Sequence, residues 1–447
     1  MKPFFKQYIG DLFFSRRWYT LLTSCCLLFM LRFFLPWLGL IPYIGLCVVV
    51  LLFVVDYYLL FSGKGIAAAR SLADRFSNGD ENEVKISLQN FYPHSIQAEI
   101  IDEIPEQFQK RDVLFKTAVA AKNSTTYEYK LRPVKRGVYA FGRINIFVHT
   151  HFDLVKRRFQ FGNGTEVAVY PSFLQMHKYQ LMATHNELSK AGIKKVRRIG
   201  HSMEYEQIKE YVAGDDYRTV NWKATARKGQ VMVNHYTDEK SQQVYCIIDK
   251  GRVMKMPFEG LSLLDYAINS SLVLLNVALV KGDRAGLVSF SEKINTVVPA
   301  DKKAVQMQLI LENLYHQKTR YLESDFERLY TYIRSKIKQR SLVVLYTNFE
   351  SLSGLKRQLP YLRKIAAHHL LLVVFFENTE LHKLTEEPAN DLQAIYQKTI
   401  AEKFVHEKKL IVKELQQYGI LSMLTTPQNL TVNTVNKYLE LKARQAI

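Results

Sequence analysis

A chain of 447 residues has room for two or three domains, and its 48% hydrophobic and 23% charged residues are typical of a chain that folds over most of its length. The 61 lysine and arginine residues against 42 aspartate and glutamate residues give a net charge of +19, which predicts an anionic partner or surface. The four cysteines show neither a CxxC nor a Cys/His spacing, which excludes a disulfide scaffold and a zinc module and indicates a reducing compartment.

Two long apolar segments, residues 18–40 and 41–61, follow each other near the start of the chain. Each is close to the ~20 residues that a helix needs to cross a bilayer. Basic residues flank the pair on both sides and only Arg32 lies between those flanks, so the positive-inside rule places both ends in the cytoplasm. We therefore predict a transmembrane hairpin over residues 1–64. A signal peptide is the alternative, but two apolar segments are too long for its single apolar region.

Charged residues lie inside these segments as well as before them. Along a helix that rises ~1.5 Å per residue, Arg32 and Asp56 are offset by roughly 10–15 Å across the membrane, which is too far for them to pair. We expect Asp56 to reach Arg16 or Arg17 at the inner interface and Arg32 to extend outward to the headgroups. An ion path needs more polar groups than these, so the pattern indicates structural anchoring.

Between residues 71 and 173 the apolar residues recur at every second position, as at Val84, Ile86 and Leu88. Turn-forming runs such as NGDEN separate several of these segments. Short alternating strands at about ten-residue spacing are typical of a β-sandwich or a small barrel. We predict a β-sandwich-like domain over residues 65–175.

From residue 243 to residue 447, apolar strand segments alternate with amphipathic helical segments. This alternation predicts a parallel sheet covered by helices on both faces, which is a doubly wound α/β domain. Ligands bind such sheets at the carboxyl ends of the strands, where Asp249 ends the first predicted strand. The sequence contains no phosphate-binding loop, strand-linked GxGxxG, GxSxG elbow or HExxH motif, so we predict neither an enzyme nor a cofactor.

Residues 176–242 connect the two predicted domains, and their centre is the polar run YVAGDDYRTVNWKATARKGQVMVNHY at 211–236. Gly214, Asp215 and Asp216 are typical of a turn in which an aspartate caps the following backbone amides. The run VMVNHYT, which follows them, predicts an additional strand. One interpretation is that the segment is only a tethered connector, ordered by its own ion pairs.

The other interpretation is that the segment organises the two cytosolic domains. Trp222 is large and apolar, so we expect it to be mostly buried between them. Replacement of Trp222 by alanine would then cost roughly 3–5 kcal/mol. The ion pairs expected beside it join Arg218 or Arg227 with Asp215, Asp216 or Glu204.

The remaining cations of the segment are expected to stay exposed. Lys223, Lys228 and the basic run at 190–198 would then face an acidic protein or the anionic lipids of the cytoplasmic leaflet, where each cation contributes ~1 kcal/mol. Binding of nucleic acid is disfavoured, because no basic motif interleaved with aromatic residues accompanies the run.

With the preceding EYEQIKEYVA, the polar run resembles the signature of a bacterial family called domain of unknown function 58. That signature has an acidic residue, Gly-Asp-x-x-Arg, a tryptophan four residues after the arginine, Ala-Arg and a strand. The segments RPVKRGVYAFG (132–142) and KGDRAGLVSFS (281–291) resemble further family elements. The matching signature positions are Glu204, Gly214, Asp215, Arg218, Trp222, Ala226 and Arg227.

The resemblance implies a von Willebrand factor A-like α/β domain that binds partners, on a protein anchored in the bacterial inner membrane with most of its chain in the cytoplasm. It also implies association with a MoxR-type AAA+ ATPase in assembly, maturation or stress functions. Members of this fold that bind a metal carry Asp-x-Ser-x-Ser after the first strand, whereas residues 249–253 read Asp-Lys-Gly-Arg-Val, and Asn348 stands where a further acid is expected. Mg²⁺ needs near-octahedral oxygen ligands, so we expect no metal at Asp249.

Two classes of function remain open. The first is a membrane-anchored scaffold or adaptor that binds a protein partner through the α/β domain. The second is an unrecognised enzyme or nucleotide-binding protein that uses the basic surface. The residues that we expect to form the signature and interaction site are Glu204, Gly214, Asp215, Asp216, Arg218, Trp222, Lys223, Arg227 and Lys228.

Overall fold

The computed structural model divides the chain into two compact units, Met1–Tyr170 and Pro171–Ile447. The first unit joins the predicted hairpin to the predicted β-sandwich-like domain. The structure describes residues 10–63, 65–109, 114–162, 164–184, 204–213, 215–237, 241–317, 319, 321–386, 388, 391–444 and 446.

Two consecutive helices lie near the start of the first unit, α1 (Arg16–Phe34) and α2 (Ile41–Phe61). Ser15 begins α1 because its side chain accepts a hydrogen bond from the backbone N–H two residues later, which satisfies one of the unpaired amides of the first turn. A short turn joins the helices. Close to this turn, the ring of Phe29 in α1 packs against the ring of Tyr43 in α2, with their centroids 5.1 Å apart. With 21 residues and a mean hydropathy of 2.6, α2 is long and apolar enough to cross a membrane.

Eleven strands are described in the first unit. The period of two is visible in their burial: every second residue of the longest strand, Asn82–Asn90, is buried. The strands are β1 (Leu12–Phe14), β2 (Ile66–Leu72), β3 (Arg75–Ser77), β4 (Asn82–Asn90), β5 (Ile96–Asp102), β6 (Leu114–Val119), β7 (Ser124–Leu131), β8 (Gly137–Phe141), β9 (Ile144–His149), β10 (Val155–Phe161) and β11 (Thr165–Tyr170).

These strands form three sheets with the orders β1-β10-β9-β5-β6, β2-β4-β7 and β3-β11-β8. Side chains of β4, β5 and β9 share one apolar core, to which Ile86, Ile100 and Ile146 contribute fully buried side chains. Two of the three sheets therefore bury the alternating apolar side chains of their strands in a common core. The carboxyl end of α2 contributes Leu60 and Phe61 to the same core.

The second unit alternates strands and helices. Its helices are α3 (Phe173–Thr184), α4 (Trp222–Lys228), α5 (Leu263–Val280), α6 (Gln306–Tyr315), α7 (Phe326–Lys336), α8 (Leu352–Ala366), α9 (Thr379–Glu386), α10 (Leu392–Gln417) and α11 (Leu430–Ala443). Its strands are β12 (Glu204–Glu210), β13 (Met232–Thr237), β14 (Gln243–Asp249), β15 (Pro257–Phe258), β16 (Leu261–Ser262), β17 (Arg284–Phe290), β18 (Ile294–Asp301), β19 (Leu342–Tyr346), β20 (Leu370–Phe376) and β21 (Leu421–Thr425).

Six strands form the central sheet in the order β18-β17-β14-β19-β20-β21. All neighbours are parallel except β18, which pairs antiparallel with β17 at one edge. One face of the sheet packs on α5, α6 and α11, and the other on α7, α8 and α10. The sheet is therefore covered on both faces, which explains why its strands read as continuous apolar runs.

Helix α5 is the second helix that is long and apolar enough to cross a membrane, with a mean hydropathy of 1.7. Most of its side chains are buried in the core of the second unit, so tertiary packing accounts for its apolar character. Its first turn carries a capping box, in which Ser262 and Asp265 each accept a hydrogen bond from the other's backbone N–H.

Candidate functional site

The signature segment forms a β-hairpin, in which β12 and β13 pair antiparallel and enclose residues 211–231. Asp216 accepts a hydrogen bond from the backbone N–H of Arg218 at 3.0 Å, as the predicted aspartate cap requires. Asn221 caps α4 in the same way, accepting from the N–H of Ala224 at 3.0 Å. Gly229 ends the helix with a φ of +73°, a left-handed conformation that glycine adopts without steric cost.

The predicted burial of Trp222 is wrong. Its side chain is 75% exposed, since it lies on the first residue of a seven-residue helix that has no buried residue. The buried residues of the hairpin are instead Met232 and Val233 of β13, which are 3% and 1% exposed. Truncation of a side chain that is this exposed removes few packing contacts. The expected loss of 3–5 kcal/mol in the free energy of unfolding on Trp222→Ala therefore does not apply.

Exposed aromatic, aliphatic and basic residues instead cover the outside of the segment. Tyr217 is 72% exposed and Val212 63% exposed, and the cations of the segment also face solvent. We call this set the signature surface. It comprises Ile208, Tyr211, Val212, Tyr217, Arg218, Trp222, Lys223, Arg227, Lys228 and Val231.

The acidic residues of the signature stabilise the loop from within. Asp215 accepts from the backbone N–H of Val212 at 3.0 Å and pairs with Lys209 Nζ at 2.8 Å. Lys209 was not among the predicted partners, although its position in β12 faces the turn. The guanidinium of Arg218 lies 5.7 Å from the centre of the Tyr217 ring.

Two signature positions, and the basic run, are described only in part or not at all. Gly214 and residues 190–198 lie outside the described residues, and Glu204 is described only as the first residue of β12.

At the carboxyl edge of the central sheet, Asp249 is completely buried at the end of β14. Its carboxylate accepts hydrogen bonds from the Ser324 hydroxyl, from Thr347 Oγ1 at 2.7 Å and from the Gly251 N–H at 2.7 Å. Burial raises the pKa of the Asp249 carboxyl, and these three hydrogen bonds act against that rise. The described hydrogen-bond donors to the Asp249 carboxyl are thus all groups of the protein itself.

Asn348, the other position where the fold could supply an acid, accepts a hydrogen bond from Lys408 Nζ at 2.7 Å. Burial lowers the pKa of Lys408 to about 8. A polar cavity of about 390 Å³ opens beside Asp249 and Asn348, and Arg252 lines it. Among the residues that the structure describes, no three histidine, cysteine, aspartate or glutamate side chains come together as metal ligands would.

The charged residues of the predicted hairpin make different contacts from those expected. Asp56 does not pair with Arg16 or Arg17: it is fully buried and accepts from the Thr150 hydroxyl and from the N–H groups of Leu154 and Val155, at 3.0 Å each. Sequence spacing missed this contact because its partners lie almost a hundred residues further along the chain.

The arginines of the hairpin lie at its two ends. Arg17, 63% exposed, approaches Asp153 at 3.6 Å, and Arg16 is exposed. Arg32 lies over the ring of Tyr43, 4.7 Å from its centre, near the turn between α1 and α2.

Comparison with known proteins bears on the signature segment and on part of the α/β unit. Residues 207–386 match the family described as Protein of unknown function DUF58, which confirms the predicted resemblance over that range. The chain is also 25% identical, over 226 residues, to the uncharacterized protein YeaD of Bacillus subtilis (strain 168). That match covers 48% of this chain and 54% of the relative, so the chain spans about half the length of that relative.

Similarities to solved structures are more distant. The human CEP192 PapD-like domain 7 is 12% identical with a TM-score of 0.18, over 24% of this chain and 85% of the domain. Proximal thread matrix protein 1 of the mussel byssus is 13% identical with a TM-score of 0.28, over 44% of this chain and 46% of that protein. TM-scores below 0.5 support no conclusion about fold or function.

Proposed function

We propose that this protein is a membrane-anchored adaptor without catalytic activity, which binds a protein partner in the cytoplasm through the signature surface. The observation that carries the proposal is the exposure of Trp222 and Tyr217 beside four cations, on a loop and helix that contribute no buried side chain of their own. The resemblance to domain of unknown function 58 suggests a MoxR-type AAA+ ATPase as the partner.

The composition of the signature surface supports a protein as the ligand. Tryptophan, tyrosine and arginine dominate the binding energy of protein interfaces. The two aromatic residues bury a large area and lose little conformational entropy. An exposed apolar patch bordered by polar residues is a common mark of such a site. Arg218, Lys223, Arg227 and Lys228 would complement an acidic partner and accelerate its association.

Membrane anchoring is supported by the surface of the two N-terminal helices. Apolar side chains point outward along both of them, among them Met30 at 67% exposure and Leu51 at 64%. Lipid would cover this apolar surface, which is costly in water. Phe33 and Trp37, at 84% and 77% exposure, lie at the turn, where aromatic residues favour the membrane interface. We therefore propose that α1 and α2 form a two-pass hairpin.

The α/β unit is proposed to have a von Willebrand factor A-like fold. Its sheet has a doubly wound order with one antiparallel edge strand, and Asp249 lies at the carboxyl end of a central strand. On this proposal the domain supports the signature surface. At the carboxyl edge of its sheet, hydrogen-bond donors of the protein and the Lys408 ammonium take the place of a metal ion.

A binding measurement with purified components tests the proposed function. The full chain in detergent and the MoxR-type ATPase of the same bacterium are combined, and affinity is measured by biolayer interferometry. Trp222→Ala and Tyr217→Ala are each expected to weaken binding by about tenfold or more, as central aromatic residues of interfaces do. Lys223→Glu with Lys228→Glu should slow association most strongly at low salt.

Lys356→Glu with Lys413→Glu is the matched control, because it makes the same change in net charge at exposed positions of α8 and α10. This control should bind as the wild type does. Equal affinity of Trp222→Ala and the wild type would refute the proposal. If the purified ATPase fails to bind, a photo-cross-linker at position 222 in native membranes distinguishes another protein partner from the enzyme or nucleotide-binding alternative.

A further inference from the structure

A second cavity lies at the opposite, amino-terminal edge of the central sheet and has a volume of about 380 Å³. It is bordered by the end of α7, the end of α8 and the residues that lead into β19 and β20. Apart from Tyr330, its titratable lining residues are basic or imidazole: Arg334, Lys338, Arg340, Lys364, His368 and His369. We call it the basic cavity.

None of the four cations forms an ion pair among the described residues. Arg334 donates a hydrogen bond to the Tyr330 hydroxyl at 2.9 Å, and Lys364 lies 5.4 Å from the centre of the Tyr330 ring. Neither contact neutralises a charge. All four residues are exposed, so their side chains are available to a ligand from solvent.

Helix ends account for only part of this charge. The carboxyl ends of α7 and α8 border the cavity, and each carries roughly half a negative charge, which lysine and arginine commonly offset. Two helix ends therefore balance about one of the four cations. The remaining positive charge has no counterpart in the lining of the cavity.

His369 provides an independent indication of a ligand. Its side chain is 5% exposed, and Nδ1 is buried without a hydrogen-bond partner among the described residues. His369 lines the cavity, and buried polar atoms are nearly always paired, so its unpaired nitrogen indicates a partner that the described residues do not supply. Burial and the neighbouring His368 lower the pKa of His369, so at neutral pH the ring is uncharged and one nitrogen can donate.

We propose that the basic cavity binds a phosphate group, with Arg334, Lys338, Arg340 and Lys364 providing its counter-charge and His369 Nδ1 a hydrogen bond. Arginine suits this ligand because its planar guanidinium donates two parallel hydrogen bonds to phosphate oxygens. The cavity is larger than a phosphate, so it has room for the group to which the phosphate is attached. That group could belong to a small phosphorylated molecule or to a phospholipid headgroup.

Calorimetry on the full chain in uncharged detergent tests the proposal, with pyrophosphate and the soluble headgroup glycerophosphoglycerol as separate probes. Saturable binding of at least one probe is expected. Arg340→Gln and Lys364→Gln should each weaken it by about tenfold or more, the usual effect of losing a charge-assisted hydrogen bond. Tighter binding of pyrophosphate indicates a soluble ligand, and tighter binding of the headgroup indicates a lipid.

Lys356→Gln and Lys413→Gln are the matched controls, because they remove single exposed cations elsewhere on the same unit. They should leave both affinities unchanged. His369→Phe, checked for folding by thermal unfolding, should weaken binding by about 2- to 10-fold. The proposal fails if neither probe saturates, or if the controls weaken binding as much as Arg340→Gln does, which would indicate counter-ion binding alone.

Discussion

Replacement of Asp56 by alanine should release the loop that joins β9 to β10. In the structure the Asp56 carboxylate is fully buried and is the acceptor for the Leu154 and Val155 amides and for the Thr150 hydroxyl. The variant leaves two backbone N–H groups buried without an acceptor, at ~1–3 kcal/mol each. The local opening free energy should therefore fall by about 4 kcal/mol, which corresponds to an equilibrium change of about 10³.

Hydrogen exchange with mass spectrometry on the full chain in detergent measures this opening directly. A peptide that covers residues 150–158 should exchange up to about 10³-fold faster in Asp56→Ala, while peptides from the second unit stay unchanged. Asp56→Asn should exchange at a rate much closer to that of the wild type, since both amides bond to the same carboxylate oxygen. The asparagine carbonyl can take the place of that oxygen while its NH₂ group donates to the Thr150 hydroxyl.

Arg17→Ala is the informative control. The guanidinium of Arg17 is 63% exposed and approaches Asp153 at 3.6 Å, so its removal should cost only ~0–1 kcal/mol. An acceleration by Arg17→Ala as strong as that by Asp56→Ala would mean that the Arg17–Asp153 contact, and not Asp56, holds the loop in place. If Asp56→Ala left the 150–158 peptide unchanged in a folded protein, the assignment of Asp56 as the acceptor for this loop would be refuted.

Three further predictions concern the second unit. Trp222→Ala should change the free energy of unfolding by less than ~0.5 kcal/mol in thermal unfolding, and a loss of ~3 kcal/mol would mean that the ring is buried after all. The folded-state pKa of Lys408, about 8 against 10.5, means that the unfolded state binds more protons between these pH values. Stability should therefore rise by about 3 kcal/mol across that window, and Lys408→Met should abolish the rise in chemical denaturation. Calorimetry with Mg²⁺ or Mn²⁺ should show no saturable binding at Asp249, and binding that Asp249→Ala removes would contradict this.

The secondary structure of both units followed from hydrophobic periodicity. Alternation predicted β4 and β5, and continuous apolar runs predicted β14 and β20, because each pattern reflects how many faces of a sheet are buried. The run VMVNHYT predicted β13 in the same way. Helix α4 was not predicted, since seven residues without an apolar stripe carry no helical period.

Side-chain positions were predicted less well, for a physical reason. The apolar character of Trp222 indicates how much free energy its burial would gain. Whether the ring is buried depends on whether an apolar core lies close enough to cover it. The short polar helix that carries Trp222, between two strands, provides no such core. The partners of Asp56 lie on a loop that is remote in sequence, so helix spacing alone led to the nearest arginines. Contacts between distant segments are decided by the tertiary fold, which no local pattern encodes.

Recognition is proposed at the signature surface and not at Asp249, because the polar groups around Asp249 are already hydrogen-bonded within the protein. The Asp249 carboxylate already accepts hydrogen bonds from two hydroxyls and one amide, and a cation would have to displace them. Asn348 already accepts from the ammonium of Lys408, which would oppose a second positive charge. A partner carboxylate that approached this edge would therefore contact Lys408 and Arg252. A partner that binds through a bridging metal would find the candidate metal ligands, Asp249 and Asn348, already hydrogen-bonded within the protein. Trp222 and Tyr217 are 75% and 72% exposed, with only the Arg218 guanidinium 5.7 Å from the Tyr217 ring. Burial of these rings against another protein would therefore gain free energy without displacing a buried hydrogen bond.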